Sequence, residues 1–237
     1  MSRVIRPSPL SNSAIGASAA STEDMRKRIH HNPAQMQDAR SDEIDLVAPQ
    51  IAYDPPACCE QTGEMQAPRR LILLRHAKSS WKDASLPDAE RPLAPRGRHA
   101  IGLVRRHLRA TDIDVDLVLC SPARRTSQTW DGLRLRGKPE LRFVREIYEA
   151  TADQLLEVLN HLDRKYRTVL LIGHNPGLED LADGLVSGGD EESLARLREG
   201  FPTAAVAILS SDDEWSDLSW RAARLDSFLR PRDLPHD

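Results

Sequence analysis

LILLRHAKSSW, residues 71–81, sets four consecutive apolar residues directly against an arginine and a histidine. An apolar run of that length, ended by charge, reads as a strand buried on both faces that stops where a polar loop begins. The same pattern recurs downstream. VDLVLC (115–120) runs into Ser121-Pro122, TVLLIG (168–173) into His174-Asn175, and AAVAIL (204–209) is a fourth run. Between these runs the apolar spacing changes to a helical one. Ala100, Ile101, Val104 and Leu108 share one face, Leu155, Leu156, Val158, Leu159 and Leu162 another, and Leu178, Leu181 and Leu185 mark a helix after Pro176. Pro122 suits the first turn of a further helix through RRTSQTW. The tail WSDLSWRAARLDSFL (215–229) reads as edge strands or a hairpin. Strands alternating with helices predict an α/β domain with a mainly parallel sheet.

The composition narrows the field further. At ~150 residues per domain, 237 residues leave room for one domain with an appendage, or two small ones. Thirty-three basic against thirty-six acidic residues argue against a general nucleic-acid binder. No stretch reaches the ~20 apolar residues of a membrane span. Cys58, Cys59 and Cys120 are an odd count without CxxC spacing, which fits a reducing, cytoplasmic setting better than a disulfide or zinc framework. Residues 1–68 differ from the rest, with Pro, Ser and Ala runs such as PSPLSNSAIGASAAS (7–21) and no sustained periodicity. They read as a disordered extension, with 69–237 as the folded domain. Arg3 and Arg6, with no acid before Glu23, also suit an organellar transit peptide, and Met65 offers an alternative start. The leader could equally carry an interaction of its own.

In open α/β sheets ligands bind beyond the carboxyl ends of the strands. There the sequence places Arg75-His76, then Ser121-Pro122 leading to Arg124 and Arg125, and then His174-Asn175. Glu146 and Glu149 follow LRFV (141–144) on a fourth connection. Two histidines, several arginines and a carboxylate on one rim suit an anion. Phosphate fits best, because guanidinium forks pair with its oxygens. A neutral imidazole is a competent nucleophile toward phosphorus, and nearby arginines disfavour imidazolium, which points to His76. No metal or other cofactor is expected, since HExxH and paired aspartates are missing.

At these residues the chain resembles the histidine phosphatase superfamily, in its short SixA-type phosphohistidine phosphatase branch. The resemblance rests on LILLRHAKSSW, RPLAPRGR (91–98), SPARRTSQT (121–129), IYEA (147–150), VLLIGHNPGLEDLA (169–182) and FPTAAVAIL (201–209). It implies a three-layer α/β/α, phosphoglycerate mutase-like fold. It implies that His76 is phosphorylated transiently, with Arg75, Arg125 and His174 completing the phosphate pocket and Ser79 near the phosphate. Arg125 holds the motif position, leaving Arg124 as a solvated helix residue. Ala77 stands where the family has glycine, so a tight backbone approach would be slightly hindered. Larger relatives supply a carboxylate as general acid, for which Glu149 is the first choice here and Glu146 the alternative.

Three functions follow as expectations. The first is a metal-independent phosphatase acting on a phosphorylated protein, such as a phosphotransfer domain or phosphocarrier. The second is a phosphatase of small phosphate esters with Glu149 as acid, and the third a non-catalytic module that binds phosphoproteins. With no long insertion between the motifs the site should be open, which favours hydrolysis. Blander readings cover other features. GLRLRGKP (132–139) fits GxxxxGK, but Pro139 replaces the Mg²⁺-binding Ser/Thr, so it reads as a helix-ending loop. Arg105, Arg106 and Arg109 read as a solvated helix edge, and a salt bridge in the Asp88–Arg91 stretch as structural. Trp81 either walls the entrance or anchors its loop, and His30-His31 carries no metal-binding expectation.

Overall fold

The computed structural model describes residues 67–111 and 113–235. The readings made on the leader, on His30-His31, on Cys58 and Cys59 and on a start at Met65 lie outside those residues. Among the described residues, five helices flank a seven-stranded sheet. In chain order the elements are β1 (Arg69–Arg75), α1 (Pro95–Ala110), β2 (Leu117–Cys120), α2 (Arg124–Leu133), β3 (Glu140–Phe143), α3 (Ala152–Asn160), β4 (Thr168–Gly173), α4 (Gly177–Leu185), β5 (Val186–Gly189), α5 (Glu191–Arg198), β6 (Val206–Ser211) and β7 (Ala223–Leu229). The strand order is β3-β2-β4-β1-β6-β7-β5. Pairs β3/β2, β2/β4, β4/β1 and β7/β5 are parallel, whereas β6 runs antiparallel to both β1 and β7. The sheet is therefore mostly parallel.

Alternation along the strands makes the three layers. Leu71, Leu73, Leu117, Leu119, Val169 and Leu171 point into one buried cluster, with Leu155 and Leu159 of α3 and Leu178 and Leu181 of α4. Ile72, Leu74, Val118, Cys120, Leu170 and Ile172 point the other way, onto Ile101, Val104 and Leu108 of α1 and Leu133 of α2. Successive side chains of a strand face opposite sides, so a fully apolar run supplies both cores at once.

Local chemistry sets the boundaries. Pro95 opens α1, where its missing N–H is no loss. Thr151 and Gln154 form a reciprocal capping box at the start of α3. Pro122 proves to lie before α2, whose N-cap is Ala123, because Ser121 and Pro122 are used to turn the chain off β2. The end of α2 is Arg134 in left-handed backbone (φ 44°), so GLRLRGKP is indeed a helix-ending loop. The tail is not an edge: Trp215–Asp217 is a single 3₁₀ turn, and β7 lies between β6 and β5. The edge on that side is the short VSGG strand, unforeseen because it has one apolar residue, as was α5, which Asp190 caps through the Ser193 amide.

Two glycines fix the loops around the strand ends. A Cβ on Gly97 would lie 2.3 Å from the Lys78 carbonyl oxygen, so only glycine lets α1 start against the loop after β1. A Cβ on Gly177 would lie 1.9 Å from the Ala150 carbonyl oxygen, where α4 begins beneath the IYEA segment.

Candidate active site

β1, β2 and β4 are parallel neighbours, so their carboxyl ends open on one rim and bring Arg75-His76, Ser121 and His174 together. The backbone of His76 is held on both sides: its N–H donates to the Gly173 carbonyl (3.1 Å) and its carbonyl accepts from the Ala204 N–H (3.2 Å). The His76 and His174 ring centroids are 5.1 Å apart.

Hydrogen bonding assigns the protons on both rings. His76 Nδ1 lies 2.8 Å from the Ala77 carbonyl oxygen. A carbonyl only accepts, so in the neutral ring Nδ1 carries the hydrogen and Nε2 holds the free electron pair. His174 has the opposite tautomer. Its Nδ1 accepts from Arg125 Nη2 (3.1 Å), and its Nε2–H donates to Ser121 Oγ (2.8 Å). Burial drives the His76 imidazole down to about 4; the Ala77 carbonyl opposes this, and Arg125 and Arg75 add to it. Burial, followed by Arg125 and then His76, pushes His174 down to about 3. Arginine proximity acts in the expected direction, but removal from water is the larger cause.

The arginines are placed by different means. Arg125, on the first turn of α2, is 6% exposed. Its Nη1 donates to the Asp88 carbonyl oxygen (2.7 Å) and lies 2.8 Å from the Asp88 carboxylate, while Nη2 holds His174. Arg75 Nη1 donates to the Phe201 carbonyl (2.6 Å), and its Nε is buried with no hydrogen-bond partner among the described residues. An unmatched buried guanidinium N–H is costly by itself and is a ready donor to an anion. Arg124 is exposed, as expected.

The carboxylate that acts on both histidines is Asp88, which the sequence reading had given only a structural role. It also accepts from the Tyr148 hydroxyl (2.9 Å), and the Tyr148 ring stands edge-on to His174 at 5.3 Å. Partial burial works to raise the Asp88 carboxyl, but Tyr148 and Arg125 outweigh it and hold the group below its ordinary range. Asp88 is therefore ionised at neutral pH. Glu149 is exposed, in left-handed backbone (φ 54°), and no hydrogen bond or ion pair to a described residue holds it over the histidines. Glu146 is exposed too and lines a separate cleft of about 490 Å³ with Val144, Gln154 and His161.

Neighbouring residues complete the setting. Ser79 is half-buried in the loop after β1, bridged to Leu93. Ala77 is fully buried in the α1/α2-side core, and its N–H donates to Thr129 Oγ1 (3.0 Å). Its methyl thus fills core space. Trp81, 67% exposed, lies under the Arg91 guanidinium, 3.6 Å from carbon to ring centroid. Tyr148 and Thr129 go unmarked in the sequence because each acts through one tertiary hydrogen bond that no local spacing announces, whereas Ser121 is marked only as a strand-end residue. Among the described residues, no three His, Cys, Asp or Glu side chains gather closely enough to hold a metal ion, and no helix is long and apolar enough to cross a membrane.

Comparison with known proteins agrees with this geometry. Residues 71–153 match the model of the histidine phosphatase superfamily (branch 1). A protein of Mycobacterium tuberculosis, itself uncharacterized, is 37% identical over 161 residues, covering 67% of this chain and 100% of its own length. Among solved structures, the candidate phosphohistidine phosphatase SixA from Nakamurella multipartitia is 30% identical with a TM-score of 0.58, over 69% of this chain and 96% of that one. Its counterpart from Agrobacterium tumefaciens is 29% identical with a TM-score of 0.59, over 69% and 99%. With both histidines and both pocket arginines gathered at the ends of parallel strands, the chain belongs to the histidine phosphatase superfamily, in its SixA-type branch, and is a phosphatase.

Proposed function

We propose that residues 69–237 form a phosphatase domain in which His76 carries the phosphoryl group, and that its substrate is a phosphohistidine on another protein, such as a phosphotransfer domain or phosphocarrier. The observation that carries the assignment of the nucleophile is the His76 Nδ1 bond to the Ala77 carbonyl, which turns a neutral ring so that Nε2 is the free nucleophile. Nε2 attacks phosphorus and the substrate P–N bond breaks. Its electron pair passes to the substrate ring, which departs as a neutral imidazole because its other nitrogen carries a proton taken from solvent. Water then attacks the phosphoenzyme, the second P–N bond breaks, and the electron pair returns to Nε2 as inorganic phosphate leaves with both protons of the water. Arg75, through its unmatched Nε, and Arg125 supply positive charge for the equatorial oxygens as charge shifts in the transfer. His174 positions Arg125 by accepting from it.

The state of the acidic groups supports the choice of substrate. Asp88, the carboxylate beside the histidines, is ionised and has no proton to donate. An imidazole, with a conjugate acid near pKa ~6.5, leaves without strong acid catalysis, whereas an alkoxide needs it.

Rapid-quench turnover of ³²P-labelled phosphohistidine protein, beside a small phosphate ester, tests both parts. Wild type should show acid-labile label on the enzyme and faster release from phosphohistidine, and His76→Ala should show neither. Label persisting in His76→Ala would remove His76 from the mechanism. Association that depends on substrate phosphate but never labels the enzyme would make the domain a binding module.

A further inference from the structure

A cleft of about 380 Å³ opens between the loop after β1, the first turns of α1 and the chain after β7. Lys78, Arg96, Arg230 and Arg232 line it and, among the described residues, no carboxylate does, in a chain whose net charge is −3. Two of these cations are already balanced. Arg230 pairs with Glu199 and Asp233, and Arg232 with Glu199. Lys78 and Arg96 have no ion pair with any described residue. Their charge is uncompensated where it faces the cleft.

Part of the cleft is built by chain that adjoins the reaction centre. Lys78 follows His76 by two residues, so their Cα atoms are at most ~7 Å apart along the chain. Thr203, also in the lining, stands between Phe201, whose carbonyl holds Arg75, and Ala204, whose N–H bonds the carbonyls of Arg75 and His76. A single transferred phosphate is already matched by Arg75 and Arg125. An unbalanced cation two residues from the nucleophile, with a second in the same cleft, suits a second anionic group on the same ligand. Arg96 is exposed and Arg232 is 66% exposed, so a macromolecular surface can reach the cleft.

The geometry points to a docking subsite for an acidic, carboxylate-bearing segment that flanks the phosphohistidine of a protein substrate, an inference that rests on the protein-phosphohistidine reading above. Such a subsite acts on association. It lowers KM and makes it salt-dependent, and it leaves the chemical step alone.

The test uses the full chain with Lys78→Glu, Arg96→Glu and, as an equal charge change on α1 lining a different cleft, Arg105→Glu. With an acidic phosphohistidine protein at low salt, Lys78→Glu and Arg96→Glu should each raise KM roughly tenfold, with kcat nearly unchanged and the difference fading as salt rises. p-Nitrophenyl phosphate turnover should not change, and Arg105→Glu should behave as wild type. A KM that does not move, an equal effect of Arg105→Glu, or a parallel loss on p-nitrophenyl phosphate overturns the inference, the last because Lys78 would then serve the transferred phosphate itself. Fluorescence anisotropy with a labelled oligoglutamate peptide separates the two readings, since it needs no turnover. Salt-sensitive binding that both charge reversals weaken keeps the cleft even if phosphohistidine proves not to be the substrate, and no binding to wild type refutes the cleft whatever the substrate.

Discussion

Lowering the pH from 7 to 5 should destabilise this protein through two identified side chains. In an unfolded chain a histidine protonates near pH 6.5. In the native protein burial holds His76 down to about 4 and His174 down to about 3. Between the unfolded and folded values the unfolded state binds more protons, so this contribution is fully present above pH 6.5 and is lost as pH falls toward the folded values. At pH 5 the unfolded rings are almost wholly charged and the native rings almost wholly neutral. The linkage costs about 2 kcal/mol for each histidine and about 4 kcal/mol for the pair. Asp88, held below its ordinary range, adds its own loss only at more acidic pH. Urea unfolding of wild type and His76→Gln at pH 7 and pH 5 isolates one half of the effect, since groups that do not sense His76 cancel in the double difference and His174, whose depression comes first from burial, stays neutral at pH 5. The acid-induced loss should shrink by about 2 kcal/mol in the variant. An equal loss in both proteins would mean that native His76 charges as readily as an unfolded histidine, and the argument for a neutral nucleophile would fail.

Further outcomes follow from single contacts. Arg125→Lys cannot hold Asp88 and His174 with one planar fork, and kcat should fall by about 100-fold in steady-state assays, with the fold intact by circular dichroism. Asp88→Asn removes the one carboxylate that raises the affinity of both histidines for protons, so the acid limb of the kcat/KM profile should move to lower pH. Gly177→Ala drives a Cβ into the Ala150 carbonyl and should lower stability by more than about 2 kcal/mol, read from a urea titration. Glu149→Gln should leave phosphohistidine turnover within about twofold; a selective loss of tenfold or more on a phosphate ester would revive Glu149 as general acid.

Much of this was legible because it is periodic or tied to a strand end. LILL, LVLC and TVLLIG announced central strands, and the residues directly after them, Arg75, His76 and His174, are where a parallel sheet exposes its carboxyl ends. Arg125 followed from its motif. What escaped lacked either signal. VSGG has too little apolar content to look like a strand, yet it pairs in parallel with β7. Asp88 sits in a 3₁₀ turn of three residues, where spacing carries no information, and its place beside Arg125 depends on a contact 37 residues away in the chain. Tyr148 owes its role to one tertiary hydrogen bond. Carboxylates posed a different problem. Position after LRFV offered Glu146 and Glu149, and only the folded chain sets Asp88 where it acts on both rings.

The order in which the strands are made has a consequence for synthesis. β1 is the first strand of the described body to emerge from the ribosome and sits near the middle of the sheet, between β4 and β6. Leu71 finds its partners only at Val169 and Leu209, about 100 and 140 residues later. At ribosomal speed that is a wait on the order of ten seconds, during which LILL has no strand to pair with. The nascent chain therefore carries a strongly apolar segment in need of shielding, and the reaction centre cannot assemble until most of the polypeptide has been made. Chaperone-depleted synthesis should expose this delay as aggregation, and equal yields of native protein with and without chaperones would argue against it.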